Sequence, residues 1–408
     1  MSPMPALPTL GPRISFVVIA LTFALMTTGG TIPIPLYTLW GEQLDFGAAT
    51  TTWVFAVYVF GTLMALVVFG GLSDQVGRRP LALVALGAAF VSTLLFILAG
   101  NVAMLLIARF LSGISVGLIT SAATAALAEV YRGDNQAFPA MISTAANMGG
   151  LGMGPLLAGA TAQHLPHPTT TVFVLFISLV VLTTALTFFI PETSTRRRRG
   201  PIDWTPHVGV PAEARRVYVR SAIAAVPTFT LLGFFSSLTP RFIRDTLDID
   251  DLLIAGAATF VLFQVGVVAQ LTLRSRPPRW NVLIGLPLLV VAMALVLGGF
   301  LQPSTWVFGL GAVVGGVGAG MTLMGGLRQL VQRLPHSSHA QGVASFFIAA
   351  QASLAVPVLM IGGLTSVVSL ETATVAVVAL VVAVASLAFV MNLRFHLAAG
   401  EQPNPERR

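Results

Sequence analysis

The chain has 408 residues, 55% of them hydrophobic and only 9% charged, where a soluble domain carries roughly a quarter charged. That composition excludes a soluble globular protein and makes lipid the solvent. All 22 basic residues are arginine, giving a formal charge of +7, and the absence of cysteine excludes disulfides, thiolate metal sites and cysteine nucleophiles.

An apolar run of about twenty residues crosses the roughly 30 Å hydrocarbon core of a bilayer. Twelve such runs follow one another, at about 14–38, 48–70, 81–99, 103–127, 137–160, 171–190, 219–240, 252–273, 281–301, 305–327, 341–364 and 372–391. The first is too long for a signal peptide and is kept as a span. With the amino terminus inside, nineteen arginines fall on the cytoplasmic side, Arg241 and Arg244 fall outside, and Arg109 lies within a span. Positive residues resist translocation, so both termini are expected in the cytoplasm of a multi-pass cell-membrane protein. The run Arg196-Arg197-Arg198-Arg199 could contact anionic lipid or nucleic acid, but the same rule favours a topology anchor, with no nucleic-acid partner.

The polar stretch 191–218, rich in Pro and Arg, divides the spans into two sets of six. The domains expected are a first bundle over 1–190, a cytoplasmic linker over 191–218, a second bundle over 219–391 and a cytoplasmic tail over 392–408. An offset near 203 pairs Leu44-Asp45-Phe46 with Leu247-Asp248-Ile249, and Gly113-Ile114-Ser115-Val116-Gly117 with Gly316-Val317-Gly318-Ala319-Gly320. Pro155 similarly falls opposite Pro357, and Pro35 opposite Pro240. The fold class is therefore all-α and integral to the membrane, with twelve spans in two pseudo-symmetric six-helix bundles and a substrate path between them near mid-membrane.

In chain order, Gly29, Gly30, Pro33 and Pro35 mark the end of the first span. Between the second and third lies Gly70-Gly71-Leu72-Ser73-Asp74-Gln75-Val76-Gly77-Arg78-Arg79-Pro80, in which Gly70 allows close helix approach and Gly77 permits a backbone that side chains resist. The second half has only a worn counterpart, Arg274-Ser275-Arg276-Pro277-Pro278-Arg279, with no acid. The fourth span carries Arg109-Phe110-Leu111-Ser112-Gly113. Arg109, the only charge well inside a span, either faces the bundle interior on a substrate or proton path or snorkels to the outer surface. The fifth holds Gly150, Gly154, Pro155 and Gly159, small residues that let helices touch and a proline that bends one, both suited to a helix that hinges. Pro191-Glu192-Thr193 closes the sixth.

These motifs, over residues 29–193, resemble those of the major facilitator superfamily, and the glycine-proline stretch resembles that of its twelve-helix drug/proton antiporter branches. The resemblance implies alternating access. It makes the 70–80 loop a cytoplasmic latch in which Asp74 pairs with the arginines, and it favours export over uptake. Proton-coupled exporters of this family often carry an acid inside an N-terminal span, and this chain has none. The carboxylates nearest the membrane are Asp74 and Glu129, which either carry protons or only latch the gate with Arg78 and Arg132.

Without an internal acid, and with Arg109 present, a neutral or anionic substrate fits better than a cation. Helical position places Asn147, Gln264 and Gln351 near mid-membrane, with Tyr37, Trp53, Tyr58, Phe235 and Phe346 as aromatic neighbours, a setting for a small amphipathic molecule. The six histidines fall in loops or at span ends, so neither a membrane enzyme nor a metal site is expected. No cofactor is expected beyond a proton gradient, and each chain encloses a path of its own, which suits a monomer. Uptake of a metabolite or organic anion, and a non-transporting sensor or scaffold, remain the competing readings.

Overall fold

A computed structural model of the chain describes residues 9–70, 72–135, 138–194, 209–245, 251–335, 339–364 and 368–400. The side chain of Asp74, the run 196–199 and the repeat segment 247–249 lie outside the described residues. Among those described, helices run α1 (Pro12–Thr31), α2 (Pro33–Leu44), α3 (Ala48–Phe69), α4 (Leu72–Val76), α5 (Arg78–Ile97), α6 (Val102–Val130), α7 (Phe138–His164) and α8 (Pro168–Thr187). After a 3-10 turn at Ala212–Ala214 come α9 (Arg215–Asp245), α10 (Leu252–Thr272), α11 (Pro278–Leu301), α12 (Thr305–Val331), α13 (His339–Leu364) and α14 (Leu370–Gly400). Ten stretches are long and apolar enough to cross a membrane, with α1 and α2 counting as one. The long helices α7 and α13 bring the set to twelve.

Helix starts follow local chemistry. Proline opens α1, α2, α8 and α11, where its missing N–H would have lacked a partner anyway. Asn101 caps α6 by accepting from the Met104 N–H at 3.0 Å, and Ser304, 203 positions on, caps α12 through Val307. Hydroxyls inside the helices donate to carbonyls three or four residues back, as Thr22 does to Val18 and Thr120 to Val116, because lipid offers them no acceptor.

Two boundaries differ from the hydropathy reading. The first span is broken at Ile32, since Pro33 cannot donate to Gly29 and a new helix starts there, running past the apolar stretch to Leu44. The seventh starts at Arg215 rather than 219, because a hydropathy window discounts the arginine-rich first turn that the backbone nonetheless winds into helix.

The chain separates into two compact units. One contains residues 1–208 with 251–257, the other 209–250 with 258–408. In the first, α5 packs on α6, α1 on α7 and α5 on α8; in the second, α11 packs on α12, α9 on α13 and α11 on α14, the same pairings in the same order. The glycine repeat explains the register. A Cβ on Gly113 would strike the Tyr58 carbonyl of α3 and one on Gly117 would lie 2.7 Å from that of Thr62; Gly316 and Gly320 meet the carbonyls of Leu262 and Gly266 in α10 in the same way. Rings fill the interiors: Trp40, Phe96 and Phe173 stack with centroids 4.8–5.9 Å apart in the first unit, and Phe235 meets Phe308 at 5.1 Å in the second. Leu, Val and Phe cover the outward faces of α5 and α8, as a lipid solvent requires.

Candidate functional site

Two constellations stand out in the first unit. One lies where the 70–77 hinge meets the ends of α6 and α8. Gly77 has φ +115°, a conformation open to glycine, and it turns the chain directly into α5. Arg78, buried, then binds Glu129 at the end of α6: its Nη2 donates at 2.8 Å and its Nε to both carboxylate oxygens at 3.2 and 3.3 Å. Its Nη1 donates to the Ser73 hydroxyl. The segment after α8 closes the knot: Glu192 accepts from the Arg78 and Ser194 backbone N–H groups at 2.8 and 3.0 Å, and the Thr193 hydroxyl donates to Glu129 at 2.6 Å. A Cβ at Gly77 would collide with the Glu192 carboxylate. Arg79 stacks on Phe188, 5.9 Å from its centroid. Behind this knot a small cleft opens between Thr22 of α1, Ala82 of α5, Ala123 of α6 and Thr187 of α8.

The close helix approach expected at Gly70 is not what its position shows. A Cβ there would strike the carbonyl of Leu66, one turn back in its own helix α3. Arg132 is exposed, in the turn after α6, while the Glu129 carboxylate goes to Arg78 and Thr193.

The second constellation is centred on Arg109, seven residues into α6 and 0% exposed, so it does not snorkel. Its Nη1 donates to the Gly30 carbonyl at 2.7 Å. That acceptor is available because α1 ends at Thr31 and the last carbonyls of a helix lack intrahelical partners. The guanidinium carbon lies 4.4 Å from the ring centroid of Tyr58, 5.5 Å from Tyr37 and 6.0 Å from Phe55. Cation–π contacts of this kind supply about 2 kcal/mol or more when dry, but no carboxylate pairs with the charge among the described residues. Nε and Nη2 of Arg109 and the hydroxyls of Tyr37 and Tyr58 are buried without hydrogen-bond partners. The site is thus a cluster of unused donors on a cation walled by rings, suited to an oxygen-bearing or anionic group.

Gly150 and Gly154 pack against α1 close by. A Cβ on Gly150 would strike Thr27 and Ala24, and one on Gly154 would lie 2.6 Å from the Thr28 carbonyl and 2.7 Å from the Ile32 nitrogen, at the break between α1 and α2. Pro155 sits inside α7, its carbonyl against Gly256, and Gly159 lies against the backbone of Leu252. Asn147 is buried in α7 with an unpartnered amide nitrogen. Trp53 is 67% exposed on α3. In the second unit Phe235, Phe346 and Gln351 are buried, and Gln264 is half-buried on α10. Sequence reasoning missed Ser73, Glu192 and Thr193 as partners of Arg78 and Glu129, and Phe55 as a wall of the Arg109 cage. Phe55 stands three residues before Tyr58, one helical turn away, and that spacing was a usable signal.

Twelve long helices in two similar bundles, with an ionic knot at one end of the first and a dry cation inside it, define a multi-pass membrane protein. The sequence profile of the Major Facilitator Superfamily matches residues 19–356, and the chain belongs to that family. It is similar to the multidrug transporter MdfA of Escherichia coli O6:H1, 32% identical over 164 residues, 38% of each chain. It is also similar to the multidrug resistance protein MdtL of Vibrio parahaemolyticus, 24% identical over 303 residues, 71% of this chain and 73% of that one. A match to the MFS-type transporter paaT of Penicillium rubens is 26% identical over 155 residues, 37% of this chain and 28% of that one. The chain thus spans well under half the length of the first and third of these relatives. Among solved structures, the human organic anion transporter MFSD10 (TETRAN) has a TM-score of 0.69 at 18% identity, covering 94% of this chain and 100% of that one, a likeness of fold. The protein is a multi-pass membrane protein of that superfamily.

Proposed function

We propose that the protein is a secondary active exporter of small neutral or anionic amphipathic compounds, driven by the proton gradient through alternating access. It works as a monomer in a bacterial inner membrane, with both termini cytoplasmic. The Arg109 cage carries this reading. Its unused groups are donors on a cation, and no acid stands in the middle of a described span to neutralise a cationic substrate. Tyr37, Tyr58, Trp53 and Asn147 join Arg109 as substrate-path residues of the first unit, and Phe235, Gln264, Phe346 and Gln351 are those of the second. The relatives named as multidrug transporters support the outward direction. The Arg78–Glu129 knot serves as the cytoplasmic latch, with Asp74 as its coupling carboxylate, and the hinge residues let α7 rock.

Accumulation of a neutral amphipathic dye in cells tests this. Wild type lowers accumulation, and Arg109→Ala and Asp74→Asn abolish the effect. The uncompensated charge of Arg109 also suits uptake of an organic anion, and higher accumulation in expressing cells would replace export with that reading.

A further inference from the structure

Among the described residues, the latch and the Arg109 cage leave one buried arginine without a role. Arg220, in the second turn of α9, is 8% exposed, and its guanidinium carbon lies 3.4 Å from the centroid of the Phe395 ring on α14. Its Nε–H has no hydrogen-bond partner, and no ion pair joins it to a carboxylate among the described residues. The first turn of α9 holds no acid, and Glu213 in the preceding 3-10 turn is exposed. The charge acting on Arg220 is another cation, Arg333 just past the end of α12, which repels it. Arg216, one turn back on α9, is exposed.

Arg220 and Arg333, with no carboxylate paired to Arg220 among the described residues, attract an anion with several acceptor oxygens. A phosphate ester is the anion that their planar forks fit in pairs. The surroundings identify its source. Phe395, Val219 and Trp280 are each about 40% exposed, and Trp280 meets His396 edge-on at 5.7 Å. Leu387 and Val390 of α14 are exposed apolar residues, as a lipid-facing helix requires. Rings with one apolar and one polar end lie at headgroup depth in a bilayer. We propose that the convergence of α9, α12 and α14 is a binding site for the headgroup phosphate of an anionic phospholipid, with Arg220 as the buried ligand, Arg333 as the second charge and Phe395 as the lid.

The test is thermal unfolding of the purified full-length chain in mild detergent, titrated separately with short-chain phosphatidylglycerol, phosphatidylcholine and inorganic phosphate. Phosphatidylglycerol is expected to raise the unfolding temperature saturably, and the other two are not. Arg220→Gln and Arg333→Gln should each raise its half-saturating concentration about tenfold, the loss of one charge-assisted hydrogen bond. Arg333 is exposed, so its variant decides the matter if Arg220→Gln does not fold. An undiminished response in the variants would overturn the site, and an equal response to inorganic phosphate would overturn the lipid assignment.

Discussion

At the scale of single residues, Gly77 and Glu192 illustrate how a loop can be fixed by a contact far away in sequence. With φ +115° and ψ 155°, Gly77 occupies a region that only glycine enters freely. The Glu192 carboxylate occupies the space where a Cβ would stand. Two penalties therefore fall on Gly77→Ala, a backbone one of about 1–3 kcal/mol and a steric one on top of it. Glu192→Ala relieves only the steric one and also releases the Arg78 N–H. The double variant should therefore recover part of the lost unfolding temperature, never all of it. Full recovery in a detergent melting experiment would show that the backbone conformation carries no cost. Little of this pairing was legible beforehand. The 70–80 hinge was readable as a motif, and Pro191-Glu192-Thr193 as a span ending, but a contact between residues 114 positions apart is made by the packing of α5 and α8 and leaves no local signal. Arg109 was readable as the lone charge in a span; its acceptor at Gly30 was not, since it depends on where α1 breaks.

Helix against helix, the glycine repeat makes a sharper statement. Gly113 and Gly316 each hold α6 and α12 against the backbone of a neighbour, whereas Gly87 on α5 and Gly309 on α12 have nothing within 4 Å of the position a Cβ would take. Gly113→Ala and Gly316→Ala should each destabilise by about 1–3 kcal/mol through overpacking. Gly87→Ala and Gly309→Ala should be neutral or stabilise by about 0.5–1 kcal/mol through helix propensity. Melting temperatures of the four variants decide it, and equal losses at all four would mean that propensity, not close approach, sets the requirement. The repeat was legible here because a glycine pair four apart is a local pattern, and the carbonyls it meets, Tyr58 and Thr62 in one half and Leu262 and Gly266 in the other, are likewise four apart. The break at Ile32 was half legible: the prolines announced it, but the polar turns that carry α2 on to Leu44 lie beyond the reach of a hydropathy window.

For the whole molecule, the distribution of arginine predicts the orientation in the membrane. The loop 98–101, the loop 165–167 and the loop 302–304 contain no arginine, whereas the opposite ends of the same helices carry Arg78, Arg79, Arg132, Arg274, Arg276, Arg279 and Arg333. Segments with several arginines resist passage across the bilayer, so the arginine-free loops are expected to face outward and the arginine-bearing ends to face the cytoplasm. Twelve crossings then return the carboxyl terminus to the side of the amino terminus. The chain has no cysteine to remove before the experiment. In intact cells, a membrane-impermeant maleimide should label Gly100→Cys and Gln302→Cys. Gly11→Cys and Arg276→Cys should label only after the membrane is opened. Because Gly100 and Gln302 lie in corresponding loops of the two halves, labelling of one without the other would break the equivalence of the bundles. Labelling of Arg276→Cys in sealed cells would invert the topology, and the Arg78–Glu129 knot would then lie at the external face rather than the cytoplasmic one.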